Sequence, residues 1–381
     1  MAFVSGPRQV GKTTTCRNLA GDYLNWDNTD DRKRILAGPS AVAERLGLNE
    51  LRTATPIALF DELHKYPRWK QFLKGYFDTY ADLTRTLVTG SSRMDIYRRG
   101  GDSLMGRYFL YRMHPFTIAE ILRQDLPDEK RIVRTPADID DEAYESLWVH
   151  GGYPEPFLNR DGRFSRRWQK LRMHQLLRED IRDLTRIDQL DQLEMLANIL
   201  LHRSGTQLIY SNLASDVQVS IDTVRRWMGT LCSLHFGFMI RPWFKNVPRS
   251  LRKEPKWFLR DWAAIDDPGS KAETFVACHL LKAVECWSDL GLGDFQLGYV
   301  RNAFKQEVDF IVIRDGKPWF LVEVKSGDDK LSPSLSYFQK QTQSPFAFQV
   351  VMDADFVDAD CFAAEGKALL VPARTFLSQL V

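Results

Sequence analysis

Hydrophobic and polar positions alternate along the chain in three different rhythms. Near the start, the short apolar run Ala2-Phe3-Val4 leads into a glycine-bearing stretch, and Thr14 to Ala20 can open a helix. Ile57-Ala58-Leu59-Phe60 is a continuous apolar run that ends in Asp61-Glu62. A run of that kind reads as a strand buried on both faces of a parallel sheet. Thr86-Leu87-Val88-Thr89 reads as a further strand, followed by Gly90-Ser91-Ser92. In the middle of the chain the spacing turns helical. Leu171, Leu176, Leu177, Ile181 and Leu184 fall on one predicted buried face. Ser211 and Ser220 are candidate caps for a short helix and a longer one, the second with Val224, Trp227, Met228 and Leu231 facing inward. Gly237 to Arg241 follows as a strand or wing. Toward the end the rhythm is that of strands. Glu307 to Ile313 alternates, turns at Asp315-Gly316 and returns as Trp319 to Lys325.

These elements predict an α/β protein in three parts. Residues 1–130 read as a P-loop domain with a parallel sheet, residues 131–260 as a helical linker and winged-helix module, and residues 261–381 as a second α/β domain. A length of 381 residues suits two or three domains. The net charge of +2 is a cancellation, with +1 over residues 1–150, +8 over 151–260 and −7 over 261–381. A basic middle suits nucleic acid and an acidic end suits divalent metal, although the two segments could also simply attract each other. Five cysteines without a C-x-x-C pair argue against a disulfide framework or a cysteine-rich zinc site. No run approaches a membrane span, and the start lacks the features of a signal peptide, so the expected location is the cytoplasm.

Candidate chemistry begins at Gly6-Pro7-Arg8-Gln9-Val10-Gly11-Lys12-Thr13, which fits G-x-x-x-x-G-K-[ST] at every fixed position, with Thr14 next. Glycines let backbone N–H groups turn toward phosphate oxygens. Lys12 would reach the β- and γ-phosphates of ATP, and Thr13 would offer its hydroxyl to Mg²⁺. Only five residues precede Gly6, which leaves the first strand short and the start open to truncation. Asp61 is the expected metal-side acid and Glu62 the group that orients or deprotonates the attacking water. Ser91 could touch the γ-phosphate, and Arg107 could serve as an arginine finger in cis or from a neighbouring subunit. Ordinary turn and surface roles are the alternatives for both. No N-K-x-D motif is present, so ATP is expected rather than GTP.

In the basic middle, Arg225 and Arg226 would lie on the exposed side of the second helix and could contact DNA, although such modules also serve as protein adaptors. In the acidic end, alternation puts Glu323 and Lys325 on one strand face, with Asp309 across the hairpin. The pattern D-x13-E-x-K gathers two carboxylates and a lysine, a set suited to metal-dependent phosphodiester hydrolysis. Asp309 and Glu323 would bind the metal, Lys325 would orient water or stabilise charge, and Glu273 would add a metal carboxylate from an upstream helix. Gln339 and Gln341 lie on a later helix-like stretch whose part in the site stays open. A solvated charge pair on an edge strand is the plain alternative.

The blocks GPRQVGKTT (6–14), YLNWD (23–27), LFDELHKYPRWK (59–70), TGSSR (89–93), GRYFLYRMHPFTIAE (106–120) and GGYPEP (151–156) resemble a family of prokaryotic AAA+-type ATPases with a C-terminal domain of unknown function. The resemblance implies ATP binding and hydrolysis, with Lys12, Thr13, Asp61 and Glu62 in the nucleotide site and association through the ATPase domain possible. Residues 265–375 resemble the PD-(D/E)XK restriction-endonuclease-like superfamily, with Glu273, Asp309, Glu323 and Lys325 filling its pattern. The expected protein uses ATP to control a DNA-acting C-terminal region. Two alternatives stand beside it: an ATP-dependent switch whose nuclease-like domain is an inactive DNA- or protein-binding platform, and an ATPase that acts on protein partners alone.

Overall fold

A computed structural model describes residues 1–90, 104–181, 189–243, 254–327 and 330–381. Ser91 and Leu184 lie outside the described residues. The chain divides into two compact units, Met1–His114 with Ser233–His235, and Pro115–Cys232 with Phe236–Val381.

The first unit is built on five strands: β1 (Ala2–Ser5), β2 (Asp22–Asn25), β3 (Ile57–Asp61), β4 (Arg85–Thr89) and β5 (Phe109–Arg112). All pairings are parallel, in the order β2-β3-β4-β1-β5. β3 carries the apolar run, and Leu59 and Phe60 are wholly buried. β1 is short, yet it pairs on both sides, with β4 and with β5. The register sets Asn25 beside Asp61 and Asp61 beside Thr89. The carboxyl ends of β2, β3 and β4 thus meet at one edge of the sheet, and β1 ends there at Ser5. That edge is where open α/β sheets bind ligands.

The second unit has a mixed sheet of seven strands. They are β6 (Gly237–Pro242), β7 (Lys256–Leu259), β8 (Phe295–Arg301), β9 (Glu307–Arg314), β10 (Lys317–Lys325), β11 (Phe346–Val351) and β12 (Ala368–Pro372), in the order β12-β11-β10-β9-β8-β6-β7. The helix Pro268–Asp289 packs on one face through Phe275, Val276 and Trp287, against Phe310, Phe320 and Phe348. The helix Pro333–Thr342 packs on the other through Leu335 and Phe338, against Ile311 and Leu321. The expected boundary at 260/261 falls beside β7, and the sheet runs across it. The strand or wing expected near Gly237 is β6, and it pairs with β8 of the C-terminal sheet.

The hairpin at Asp315-Gly316 forms as read. Both residues have positive φ, 50° and 76°, the combination a type I′ turn requires. Ser220 caps the helix Ile221–Ser233 by accepting from Thr223 N at 3.1 Å. Ser211 is not a cap, because its helix already begins at Tyr210. Leu171 was expected inside and is 54% exposed, whereas Leu176, Leu177 and Ile181 are buried. The helical rhythm shifts by a π-turn at Gln175–Asp180, which rotates Leu171 off the buried stripe.

Two sequence blocks owe their form to packing. Phe116 N donates to Gly152 O at 2.7 Å. A Cβ on Gly152 would stand 2.6 Å from Phe116 O and 2.8 Å from the Trp262 ring. Only glycine fits there, so the segments around Phe116 and Gly152 interlock. Thr117 caps the helix Ile118–Leu122, and Glu120 pairs with Lys282.

Candidate functional sites

The first site is assembled at the carboxyl edge of the parallel sheet. Gly6 has φ 148°, and a Cβ there would meet Met113 O at 2.3 Å, so the loop can take this path only with glycine. Gln9 and Gly11 also have positive φ, 62° and 95°. This curled loop delivers the chain into the helix Lys12–Leu19. Lys12 is buried, and its Nζ donates to Gly6 O at 2.9 Å and Pro7 O at 2.6 Å. Burial lowers its pKa to about 8, against the opposing pull of Glu62 and Asp61. The ammonium thus sits inside its own loop, held by carbonyls that phosphate oxygens would replace.

Asp61 is buried and receives three hydroxyls. Thr89 donates to Oδ1 at 2.6 Å, while Tyr23 and Thr13 donate to Oδ2 at 2.9 and 3.1 Å. Burial and the bond to Asp61 raise the Tyr23 pKa to about 12, so this donor keeps its proton. The expected partners Thr13 and Asp61 are therefore in direct contact. A hydroxyl and a carboxylate side by side offer the oxygen donors that would suit a magnesium ion. Glu62 is adjacent but engaged elsewhere. Its Oε2 lies 3.2 Å from Lys65 Nζ and 3.7 Å from His64 Nε2, and Lys65 also holds Asp27 at 2.5 Å. Thr14 and Arg8 are exposed at the rim, while Pro7 and Val10 are buried.

Arg107 is not brought to this loop within the chain. It precedes β5, at the amino end of the sheet, and Met1 donates to its carbonyl. Its guanidinium forms a two-point pair with Asp78, at 2.6 and 3.1 Å. A finger role in cis does not follow from that placement. The strand register puts it at the opposite end from Gly6.

The second site lies where β7, β9, β10 and the helix Pro268–Asp289 meet. Asp309 Oδ2 accepts from Val324 N at 2.9 Å, which fixes the hairpin acid beside the next strand. Lys325 Nζ lies 3.0 Å from Glu323 Oε1. Burial works against the Lys325 charge, but the bond to Glu323 and the nearby acids outweigh it and hold its pKa up. Burial, then the charge of Asp309, raises Glu323 to about 7. Burial and the charges of Asp309, Glu307 and Glu323 raise Glu273 to about 8, against the pull of Lys256.

The sequence reading missed Lys256. This lysine opens β7 and is 4% exposed. Its Nζ lies 2.5 Å from Glu307 Oε1 and 3.5 Å from Asp309 Oδ1. Burial opposes its charge, but Asp309, Glu273 and Glu307 more than offset that, and its pKa is raised. The only signal in the sequence is a lysine set against the apolar run Trp257-Phe258-Leu259. Among the described residues, no three His, Cys, Asp or Glu side chains close around one point as a metal site. The expected metal carboxylates Glu273, Asp309 and Glu323 are gathered but not closed, because the Lys256 ammonium already pairs with Asp309. Among the described residues, buried Glu273 Oε2 and Glu323 Oε2 have no hydrogen-bond partner. Orphaned carboxylate oxygens of this kind fit a hard cation.

On the helix Ile221–Ser233, Arg225 and Arg226 are exposed, as expected. Arg225 pairs with Asp222 at 3.1 Å.

Comparison with known proteins follows these divisions. Residues 1–122 match an AAA domain. Residues 141–265 match a domain of unknown function, DUF8612, and residues 268–358 match another, DUF4143. Uncharacterized proteins Mb2031c of Mycobacterium bovis and Rv2008c of Mycobacterium tuberculosis are each 26% identical over 354 residues, spanning 88% of this chain and 72% of theirs. Among solved structures, the Aeropyrum pernix ORC1 protein in complex with DNA aligns with TM-score 0.32 at 13% identity, over 72% of this chain and 86% of that one. Among the described residues, no helix is long and apolar enough to cross a membrane.

Proposed function

We propose that this protein binds and hydrolyses ATP, and that its ATP state controls a DNA-acting C-terminal region. The observation that carries the nucleotide half is the contact between Thr13 and Asp61 beside the buried Lys12. ATP would replace the Gly6 and Pro7 carbonyls as partner of Lys12. Thr13 and Asp61 would hold Mg²⁺, which offsets charge on the phosphates. Glu62 would leave Lys65 to orient water. That exchange gives a physical route from phosphate to a moving ion pair.

The acidic site supports metal-dependent phosphodiester hydrolysis. Glu273, Asp309 and Glu323 would hold the metal, whose chemistry is to activate water and offset transition-state charge. Lys325 would orient the attacking water. The exposed Arg225 and Arg226, on what we read as a winged-helix module, would contact phosphate. A cytoplasmic location and assembly of several copies through the ATPase region belong to the same reading.

Two variants test it. Lys12→Ala should abolish ATP turnover, and Lys325→Ala should abolish Mg²⁺- or Mn²⁺-dependent cleavage of plasmid or branched DNA. Failure of the wild type to cut DNA in any metal, with or without ATP, defeats the nuclease mechanism. Binding without cutting would favour the platform reading, and no binding at low salt would favour protein partners.

A further inference from the structure

Beside the acidic site the second unit carries a cleft of about 740 Å³, within the usual range for ligand pockets. Trp243 and Tyr337 supply aromatic surface, Arg301 and Lys305 supply positive charge, and Gln341 supplies an amide. Glu254 is the one acid in its described lining, and its carbonyl accepts from Tyr299 OH at 2.8 Å. Tyr337 is 43% exposed although it sits on a helix with a well-packed inner face.

A second observation points to the same ligand. The loop Asn302–Gln306 joins β8 to β9 at the cleft wall. Asn302 Oδ1 accepts from Phe304 N at 2.9 Å and from Gln306 N at 3.1 Å, and Asn302 N donates to Gln306 O at 3.0 Å. Lys305 takes a positive φ of 64°. This ordered loop holds Phe304 86% exposed. An exposed ring on a fixed loop gains nothing in the folded chain, but it is ready to stack. Alternating rings and cations suit a polymer of flat bases and phosphates.

The cleft also stands in register with the carboxylates. Arg301 faces Glu307 across the β8–β9 pair and bonds it at 2.9 Å. Asp309 follows two strand residues later, about 7 Å along β9. We infer that this cleft binds unpaired DNA bases, stacked on Tyr337 within it and on the exposed Phe304 of the loop at its wall, with Arg301 and Lys305 on the phosphates, and so feeds a single strand toward the acidic site. The inference deepens the DNA-acting reading and rests on it for the identity of the polymer. Duplex DNA keeps its bases stacked and offers no free face to these rings.

The test uses the full chain, a fluorescein-labelled 20-nucleotide single strand and the matching blunt duplex, with anisotropy measured in EDTA at several salt concentrations. Expected is single-strand binding about tenfold tighter than duplex binding, weakened about tenfold by Tyr337→Ala and kept by Tyr337→Phe. Lys305→Ala should reduce the salt slope of single-strand binding by about 0.7. Equal binding of the two DNAs, no binding, or single-strand binding indifferent to Tyr337→Ala overturns the inference. A cleavage assay of the wild type, with Asp309→Asn as the uncut control, separates the two readings. Tyr337-dependent binding in a wild type that never cuts leaves the cleft standing and defeats the nuclease; cutting without that dependence does the reverse.

Discussion

The two candidate sites solve opposite electrostatic problems. At the glycine-bearing loop one buried lysine is held by two backbone carbonyls, and the nearby Asp61 accepts from three hydroxyls. At the C-terminal sheet, acids crowd around one buried lysine, and two carboxylate oxygens have no hydrogen-bond partner among the described residues. The first site has its lysine and its acid paired within the loop and the sheet edge. The second is held together by a cation of its own. A preorganised site needs only exchange of partners to bind, whereas a crowded one must lose protons or move its lysine.

Lys12→Ala gives the largest expected effect. ATP turnover should fall by at least about 100-fold, with thermal stability of the second unit unchanged. In the wild type, ATP binding near pH 8–9 should take up a proton, because phosphate restores charge to a lysine whose pKa lies near 8. Calorimetry in two buffers of different ionisation enthalpy measures that uptake. No uptake would place Lys12 in a wetter setting than its burial implies.

Next in size is Lys256→Met. Removing the cation leaves the half-buried Asp309 without it and Glu307 with Arg301 alone, which should cost about 2–3 kcal/mol in urea denaturation. A cost below about 1 kcal/mol would mean that the acids repel one another far less than the geometry implies.

The pH dependence should be smaller but of definite sign. Glu273 and Glu323 rise from an ordinary 4.5 to about 8 and about 7. Between those limits the folded chain holds protons that the unfolded chain has released. Metal-free stability should therefore fall as pH rises from about 5 to 8. Glu273→Gln should flatten the curve, and Mn²⁺ should restore stability at the upper end. A Tm that rises across this window in the absence of metal contradicts the assignment.

The smallest effect concerns the Ile221–Ser233 helix. Replacing both Arg225 and Arg226 by alanine should lower the salt slope of DNA binding by about two. An unchanged slope would make that helix an adaptor surface.

What could be read in advance followed sequence distance. The phosphate loop is one local motif, and the D-x13-E-x-K pattern is one hairpin, so strand alternation was enough to find Asp309, Glu323 and Lys325. Tyr23 and Thr89 escaped because their role depends on the β2-β3-β4 register. Lys256 escaped because β7 lies some fifty residues from β9 and reaches it only through the sheet. The place of β6 and β7 in the C-terminal sheet escaped for a similar reason, because it depends on strands farther along the chain. Leu171 failed locally, where a π-turn altered the helical period. The interlocked Phe116 and Gly152 carry part of the resemblance by packing alone, with no chemistry of their own.

The most direct test of coupling between these sites is the rate of Mn²⁺-dependent DNA cleavage by the full chain with ATP, with ADP and without nucleotide. The account predicts rates that differ with nucleotide in the wild type, cutting that no longer responds to nucleotide in Lys12→Ala, and no cutting in Asp309→Asn. Equal wild-type rates in all three states, or cutting that survives Asp309→Asn, would contradict it.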